Sequence, residues 1–448
     1  MQQKQILVLG AGLSSSSLVR YLLDHSADEN WRVTLGDISK ELAEKKINGH
    51  PNGRAVRFDV DDDAQRVQCI QHADVVISML PARMHYRVAK DCVDCRVHML
   101  TASYVSDEIR SLDHQAREND VLLLNEMGVD PGIDHMSAMQ VIDRIRESGG
   151  VIRGFESSTG GLVAPEFDDN PWGYKFTWNP RNVVVAGQGV SRFLHNGRIK
   201  YIPYHKLFSR TETITIPEVG DFEIYPNRDS LKYIDTYGLE NLKTMFRGTM
   251  RRPGYSRAWD VFVQLGMTED NYHIVDSENM TFRDFINSYL PFEKDQSVEE
   301  KLCDILGLDR DGEVMQKLHW LGIFEETPIG LKNATPAQIL QSLIEPRWQL
   351  KPADRDMIVM QHIFDYEDQH NTRRLKSTMV FKGRDPLHTA MSITVGVPVA
   401  IATRLLLNNQ ITLKGVQRPL SKEIYEPVMK ELEAYGVRFR EEEEPVQV

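Results

Sequence analysis

Gly10-Ala11-Gly12 directly follows the apolar run Ile6–Leu9 and opens a stretch whose Leu18 and Leu22, with Val19 and Leu23 beside them, share one helical face. Glycines so placed do phosphate chemistry. The first permits a tight turn out of a strand, the second lets the backbone approach a pyrophosphate, and the helix start offers unpaired N–H groups. Leu13 and Ser14 continue that loop, and Ser15 stands where a third glycine is usual. Asp37 closes the second apolar run, 25 residues past Gly12, near the roughly 20 expected for a carboxylate that accepts from an adenosine 2′-hydroxyl. A carboxylate there repels a 2′-phosphate, so NAD is favoured over NADP. The other reading is that Asp37 caps the next turn and the chain takes NADP through a side chain such as Lys40. Asp59 and Val60 follow the third run, where an adenine would lie; Met79 and Leu80, within Ser78–Pro81, close the fourth. Asp130-Pro131-Gly132 is a turn signal after the sixth run. Cys92 and Cys95 have CxxC spacing but no second pair or histidine cluster near them, so they read as two thiols on a helix and no metal is expected.

These residues need elements to hold them. Short apolar runs (Ile6–Leu9, Val33–Leu35, Ala55–Phe58, Val75–Leu80, His98–Thr101, Val121–Leu124) alternate with amphipathic stretches over residues 1 to about 126. That is the signature of βαβ units and a buried parallel sheet. Residues 151 to about 230 read as β-rich, with a hairpin at Asn196-Gly197. Leu375, Ser377, Met379 and Phe381 alternate as in a strand. Residues 231 to 346 read as helical, with apolar faces at Trp259, Phe262 and Leu265, at Leu302, Ile305 and Leu306, and at Val314, Leu318 and Leu321. A capping box stands at Thr335–Gln338. Ser392–Leu407 reads as an apolar helix, and the like-charge run Glu441–Glu444 as a frayed end. The expected fold is α/β: a Rossmann-type doubly wound parallel sheet (1–130 with 390–448), an α/β substrate and dimerisation domain (131–230 with 347–389) and a small helical insert (231–346).

The chain has 448 residues, 41 % apolar and 26 % charged, with net charge −12. That balance argues against a nucleic-acid partner, which would need a basic face. The N-terminus lacks a signal-peptide pattern, and the best apolar stretch is interrupted by Pro398 and Arg404, so no membrane partner and a cytoplasmic location are expected.

Several stretches are far more specific than a glycine pair: Thr101-Ala102-Ser103-Tyr104, Asn125 to His135, Gly160 to Glu166, Asp169 to Phe176, Tyr225 to Ser230, Arg247-Gly248-Thr249, Arg355 to Met360 and Thr394 to Pro398. On them the chain resembles the saccharopine dehydrogenase family of the glutamate-forming type, over nearly its whole length. The resemblance implies an NAD(P)-dependent oxidoreductase that interconverts saccharopine with glutamate and 2-aminoadipate 6-semialdehyde through an imine. It also implies a homodimer and a small amino-acid substrate. Saccharopine carries three carboxylates, and arginine's planar fork suits them. Arg228 and Arg247, with Gly248 and Thr249, match substrate positions. Thr101 and Ala102 match cofactor positions, as does Asn179, while Ser103 and Tyr104 match substrate positions. Tyr104 and Asp130 are the candidates for proton transfer; Asp134 is expected to cap a helix and His135 to be packed. Thr159 replaces a cysteine frequent in the family before Gly-Gly-Leu. Two other readings stand beside this one: an imine reductase of the carboxynorspermidine dehydrogenase kind, whose cationic substrate would need carboxylates rather than Arg228 and Arg247, and a non-catalytic cofactor-binding scaffold.

Overall fold

The computed structural model describes residues 3–368 and 371–446. The six apolar runs become β1 (Lys4–Leu9), β2 (Trp31–Asp37), β3 (Gly53–Arg57), β4 (Val75–Ser78), β5 (His98–Leu100) and β6 (Leu122–Leu124). They pair in parallel in the order β6-β5-β4-β1-β2-β3. Helices α1 (Ser16–Asp24), α2 (Lys40–Ile47), α3 (Asp63–Gln71), α4 (His85–Cys95), α5 (Asp107–Ser111) and α6 (Asp113–Glu118) connect them, and α7 (Ile133–Glu147) follows β6. The strands read as continuous apolar runs because helices cover both faces of the sheet. Strand order reverses between β1 and β4, the place where such sheets bind ligands at their carboxyl ends. Cys92 is fully buried on the inner face of α4 and Cys95 packs on the edge of that core; burial pushes both thiols up. Both behave as small apolar residues three apart on one helix.

The second unit is built on a mixed sheet of β7 (Val151–Val163), β8 (Val190–His195), β9 (Arg198–Pro203), β10 (Glu212–Ile216), β11 (Gly220–Pro226), β12 (Thr244–Arg251), β13 (Asp356–Glu367) and β14 (Thr372–Lys382). Its main path runs β10-β11-β12-β7-β13-β14, and the β8–β9 hairpin turns at Asn196-Gly197 and joins through β12. Its helices are α8 (Pro180–Val184), α9 (Lys232–Thr236), α10 (Tyr255–Gln264), α11 (Phe282–Asn287), α12 (Val298–Leu306), α13 (Glu313–Leu321) and α14 (Pro336–Ile344). The capping box at Thr335 and Gln338 forms as expected.

The chain then returns to the first unit. In it, α15 (Ala390–Leu407) packs on α1, β15 (Gly415–Gln417) adds a seventh parallel strand beside β6, and α16 (Lys422–Leu432) packs on α7. By length and composition α15 could cross a membrane, but 83 % of it is buried inside the protein. Residues 1–151 with 379–441 form one compact unit and residues 152–378 with 442–448 the other.

Four elements differ from the sequence reading. The span expected to be wholly helical contains β12, a central strand; its alternation is disguised because Arg247 and Arg251 are buried. Residues 133–147, expected with the second domain, form α7 of the first unit. Ile305 is exposed rather than on the buried face of α12. The acidic run does not fray: Arg440–Pro445 is an edge strand, β16, beside β14. There Glu443 and Glu444 meet Arg373 (3.0 Å) and Lys376 (2.9 Å).

Candidate active site

The cofactor end is assembled at the carboxyl edge of β1 and β2. Gly10 adopts φ +106°, and a Cβ there would lie 2.8 Å from the Met79 carbonyl oxygen, so this position requires glycine. Gly12 has no heavy atom within 4 Å of where its Cβ would stand. That open approach, at the N-terminal side of α1, is what a pyrophosphate needs. Ser15 is buried and donates to the Gly12 carbonyl (2.9 Å). The other side of the α1 start is closed by Gly396 of α15, whose Cβ would stand 2.9 Å from the Leu18 nitrogen and 3.0 Å from the Ser14 carbonyl oxygen.

The Asp37 carboxylate is engaged by the protein itself. One oxygen accepts from the Ala11 N–H (2.7 Å), the other from the Ser39 N–H (2.9 Å). Asp37 therefore ties the phosphate loop to the start of α2, the capping role that stood as the alternative to ribose selection. Lys40 is exposed and pairs with Glu44 (3.1 Å). A different lysine reaches the loop: Lys46 of α2 donates to the Ser16 hydroxyl, the first residue of α1. Burial lowers its pKa, and the nearby Asp37 charge raises it. Spacing along the sequence gave no sign of it, because the contact depends on how α2 packs. Asp59 accepts from the Asp61 N–H (3.0 Å) in a local turn, and Val60 is buried. Met79 and Leu80 are half-buried beside the loop, where the Met79 N–H donates to the Leu9 carbonyl (2.7 Å). Leu13 and Ile38, next to the loop, are large apolar side chains left exposed.

The candidate proton-transfer and substrate residues lie along β4, β5 and β6 of the same sheet. Thr101 is buried, and its hydroxyl accepts from the Ser103 N–H (3.2 Å); Ala102 is half-buried beside it. Tyr104 is exposed, and its hydroxyl donates to Asp130 (3.3 Å). The two candidates for proton transfer are thus brought together. Asp130 is presented by a tight knot: the Gly128 N–H donates to the Pro131 carbonyl (2.8 Å), and the Ile133 N–H to the Gly128 carbonyl (2.9 Å). Gly132 at φ +148° leaves no room for a Cβ, which would fall 2.1 Å from the Gly128 oxygen. Asp134 accepts from the Gly132 N–H at the start of α7.

Glu126 was not singled out by sequence, yet it anchors this edge. It is buried, at φ +62°, and accepts from the Val105 N–H (3.0 Å) and Arg418 (2.9 Å), while its other oxygen faces His135 Nε2 (2.8 Å). Burial pushes its carboxyl up, but the hydrogen bond and charge of His135, with Arg418, bring it down to about 2. Its neighbour Asn125 is fully buried with neither amide atom partnered among the described residues.

In the second unit, Arg247 is buried on β12 with its guanidinium 4.1 Å from the Tyr233 ring centroid, and its backbone N–H donates to the Ser230 hydroxyl (2.9 Å). Gly248 must be small: a Cβ would lie 2.4 Å from Ile224. Thr249 stands opposite Tyr225 of β11 and Thr159 of β7. Arg228 is exposed at φ +47° after β11. Asn179 is the N-cap of α8, its side chain accepting from the Arg181 N–H (2.9 Å). A further arginine was missed: Arg251 is buried on β12, 5.0 Å from the Tyr174 ring centroid and 5.4 Å from that of Tyr255.

A parallel sheet with its order reversed at β1 and β4, a bare glycine at the helix start, and a tyrosine–aspartate pair on the same edge define a dinucleotide-dependent oxidoreductase fold joined to a second α/β unit. Residues 6–124 match the saccharopine dehydrogenase NADP binding domain, and residues 128–437 match the saccharopine dehydrogenase C-terminal domain. The chain belongs to the saccharopine dehydrogenase family. It is 32 % identical to the saccharopine dehydrogenase [NADP(+), L-glutamate-forming] of Saccharomyces cerevisiae, over 98 % of this chain and 99 % of that one. It is 33 % identical to the alpha-aminoadipic semialdehyde synthase of Arabidopsis thaliana, over 98 % of this chain and 45 % of that longer protein. Its fold superposes on the apo saccharopine dehydrogenase (L-Glu forming) structure from Saccharomyces cerevisiae with a TM-score of 0.88, at 31 % identity and covering 98 % and 100 % of the two chains.

Proposed function

We propose that this chain oxidises saccharopine to glutamate and 2-aminoadipate 6-semialdehyde, and runs the reverse reduction, with NADP as cofactor. The observation that carries this reading is the Tyr104–Asp130 pair on the sheet edge that also bears the phosphate loop. Gly10, Ala11, Gly12, Leu13 and Ser14 would hold the pyrophosphate of the cofactor, and Thr101 and Ala102 would stand beside its nicotinamide. A nicotinamide bound there would supply the hydride acceptor for the substrate carbon that becomes the semialdehyde, so that a protonated imine is what the site's own residues must hydrolyse. Water then adds to that imine. Asp130 takes the proton of the attacking water, and Tyr104, bonded to Asp130, holds the carboxylate in place. As the carbinolamine collapses, Asp130 returns its proton to the nitrogen, the hydroxyl gives up its own, and the C–N bond breaks to leave the aldehyde and glutamate. Arg247, Thr249 and Arg228 bind substrate carboxylates.

For the cofactor, Asp37 alone favoured NAD. The bonding of its carboxylate to Ala11 and Ser39, the Lys46 cation beside Ser16, and the NADP(+) named for the relatives weigh the other way. A homodimer, supported by the resemblance, is part of the same reading. The test is reduced-nicotinamide absorbance with saccharopine and either cofactor. A rise with NADP exceeding that with NAD is expected; a rise with NAD alone would return selectivity to Asp37. No rise with either would overturn the reading and leave another amine as substrate.

A further inference from the structure

His85 is the first residue of α4, almost wholly buried, and it stands between two serines at the carboxyl ends of neighbouring strands. Its Nδ1 lies 2.8 Å from the Ser78 hydroxyl and its Nε2 2.7 Å from the Ser103 hydroxyl. Burial pushes the imidazole down to about 4, so the ring is neutral at working pH, with one N–H and one lone pair. Which nitrogen holds the proton follows from the serines. Ser78 is fully buried, and among the described residues its hydroxyl has no partner other than His85. A buried hydroxyl proton without an acceptor is costly, so Ser78 donates to Nδ1. The ring proton is then on Nε2, and it points at Ser103. Ser103 is only half-buried, and its hydroxyl meets no protein acceptor among the described residues.

We propose that His85 is a positioning residue that occupies a lone pair of the Ser103 hydroxyl and so turns the serine's own proton outward, as a donor to a carboxylate oxygen of the substrate. This deepens the proposed function and rests on the match of Ser103 to a substrate position of the family. It makes the Ser78–His85–Ser103 chain a device for anion selectivity: a serine whose acceptor side is filled by an N–H offers its hydrogen, which suits a carboxylate and disfavours an ammonium. The chain also links the strand end bearing Met79 and Leu80 to the strand end facing substrate.

The tests are the tautomer of His85 in the wild-type protein, read by nitrogen NMR, and saccharopine KM in four variants, with cofactor affinity from nicotinamide fluorescence as the check on folding. The proton is expected on Nε2. His85→Leu is expected to raise saccharopine KM roughly tenfold, the worth of one hydrogen bond to a charged group, with cofactor affinity unchanged. His85→Gln, whose amide still donates toward Ser103, restores most of the loss. Ser103→Ala raises KM similarly, and adding His85→Leu to it raises KM no further. A proton on Nδ1, or additive effects of the two substitutions, would overturn the inference. If Ser103→Ala raises KM while His85→Leu does not, His85 has no positioning role although Ser103 still binds substrate. If Ser103→Ala leaves KM unchanged, the substrate reading of Ser103 falls and this inference falls with it.

Discussion

Two glycines two positions apart do different jobs at the residue scale, and substitution separates them. Gly10 is needed by the fold, since its φ of +106° and the nearby Met79 carbonyl exclude a side chain. Gly10→Ala is expected to cost about 1–3 kcal/mol of stability, read as a lower melting temperature. Gly12 has ordinary extended angles and open space around it. Gly12→Ala is expected to fold with an unchanged melting temperature while cofactor affinity drops, because the methyl occupies the pyrophosphate's approach; unchanged affinity would remove that role. Arg247→Met is expected to raise saccharopine KM at least tenfold, as roughly one charge-assisted bidentate contact, with little change in cofactor affinity. An unaltered KM would remove its carboxylate role. The glycines and arginines were legible because their types are uncommon choices in those places. The bonding of Asp37 was not, since its partner N–H belongs to a residue 26 positions away. Nor was Glu126, a single acid whose three partners come from the β5 exit, α7 and the β15 exit.

That acid matters most at the scale of elements. Its folded-state carboxyl, at about 2 against an ordinary 4.5, favours the folded state wherever it is ionised in both states. The stability is fully present above about pH 4.5 and is lost as pH falls toward 2, up to about 3 kcal/mol in all. Glu126→Gln is expected to remove that slope from a stability–pH profile and to lower stability at neutral pH, because Arg418 and His135 lose a buried anion. A variant with the same profile as the parent would show that the cluster carries no net stability. At the other sheet, truncation before Glu441 is expected to lower the melting temperature by a few degrees, less in high salt, since exposed ion pairs are individually weak and screened. Unchanged melting would mean β16 only rests on β14. The parallel strands, the hairpin and α15 could be read from periodicity, because their side chains follow simple burial rules. β12 and β16 could not: one buries arginines and the other exposes every residue, so neither shows the apolar alternation of a half-buried strand.

Over the whole molecule, the chain interrupts its first unit to build the second and then returns with α15, β15 and α16 to complete it. The return is structural at the site as well: Gly396 closes on the start of α1, and Arg418 reaches Glu126. The first unit carries the cofactor loop and the Tyr104–Asp130 pair; the second carries Arg247, Thr249 and Arg228. The central claim is that hydride leaves the carbon that becomes the semialdehyde, so that the nitrogen departs with glutamate. Saccharopine has a second C–N bond at the same nitrogen, and oxidation there would give lysine and a 2-oxo acid instead. Product identification by mass spectrometry after incubation with saccharopine and NADP separates the two. Glutamate and the semialdehyde are expected; lysine with 2-oxoglutarate, or intact saccharopine alongside a folded, cofactor-binding protein, would contradict the account.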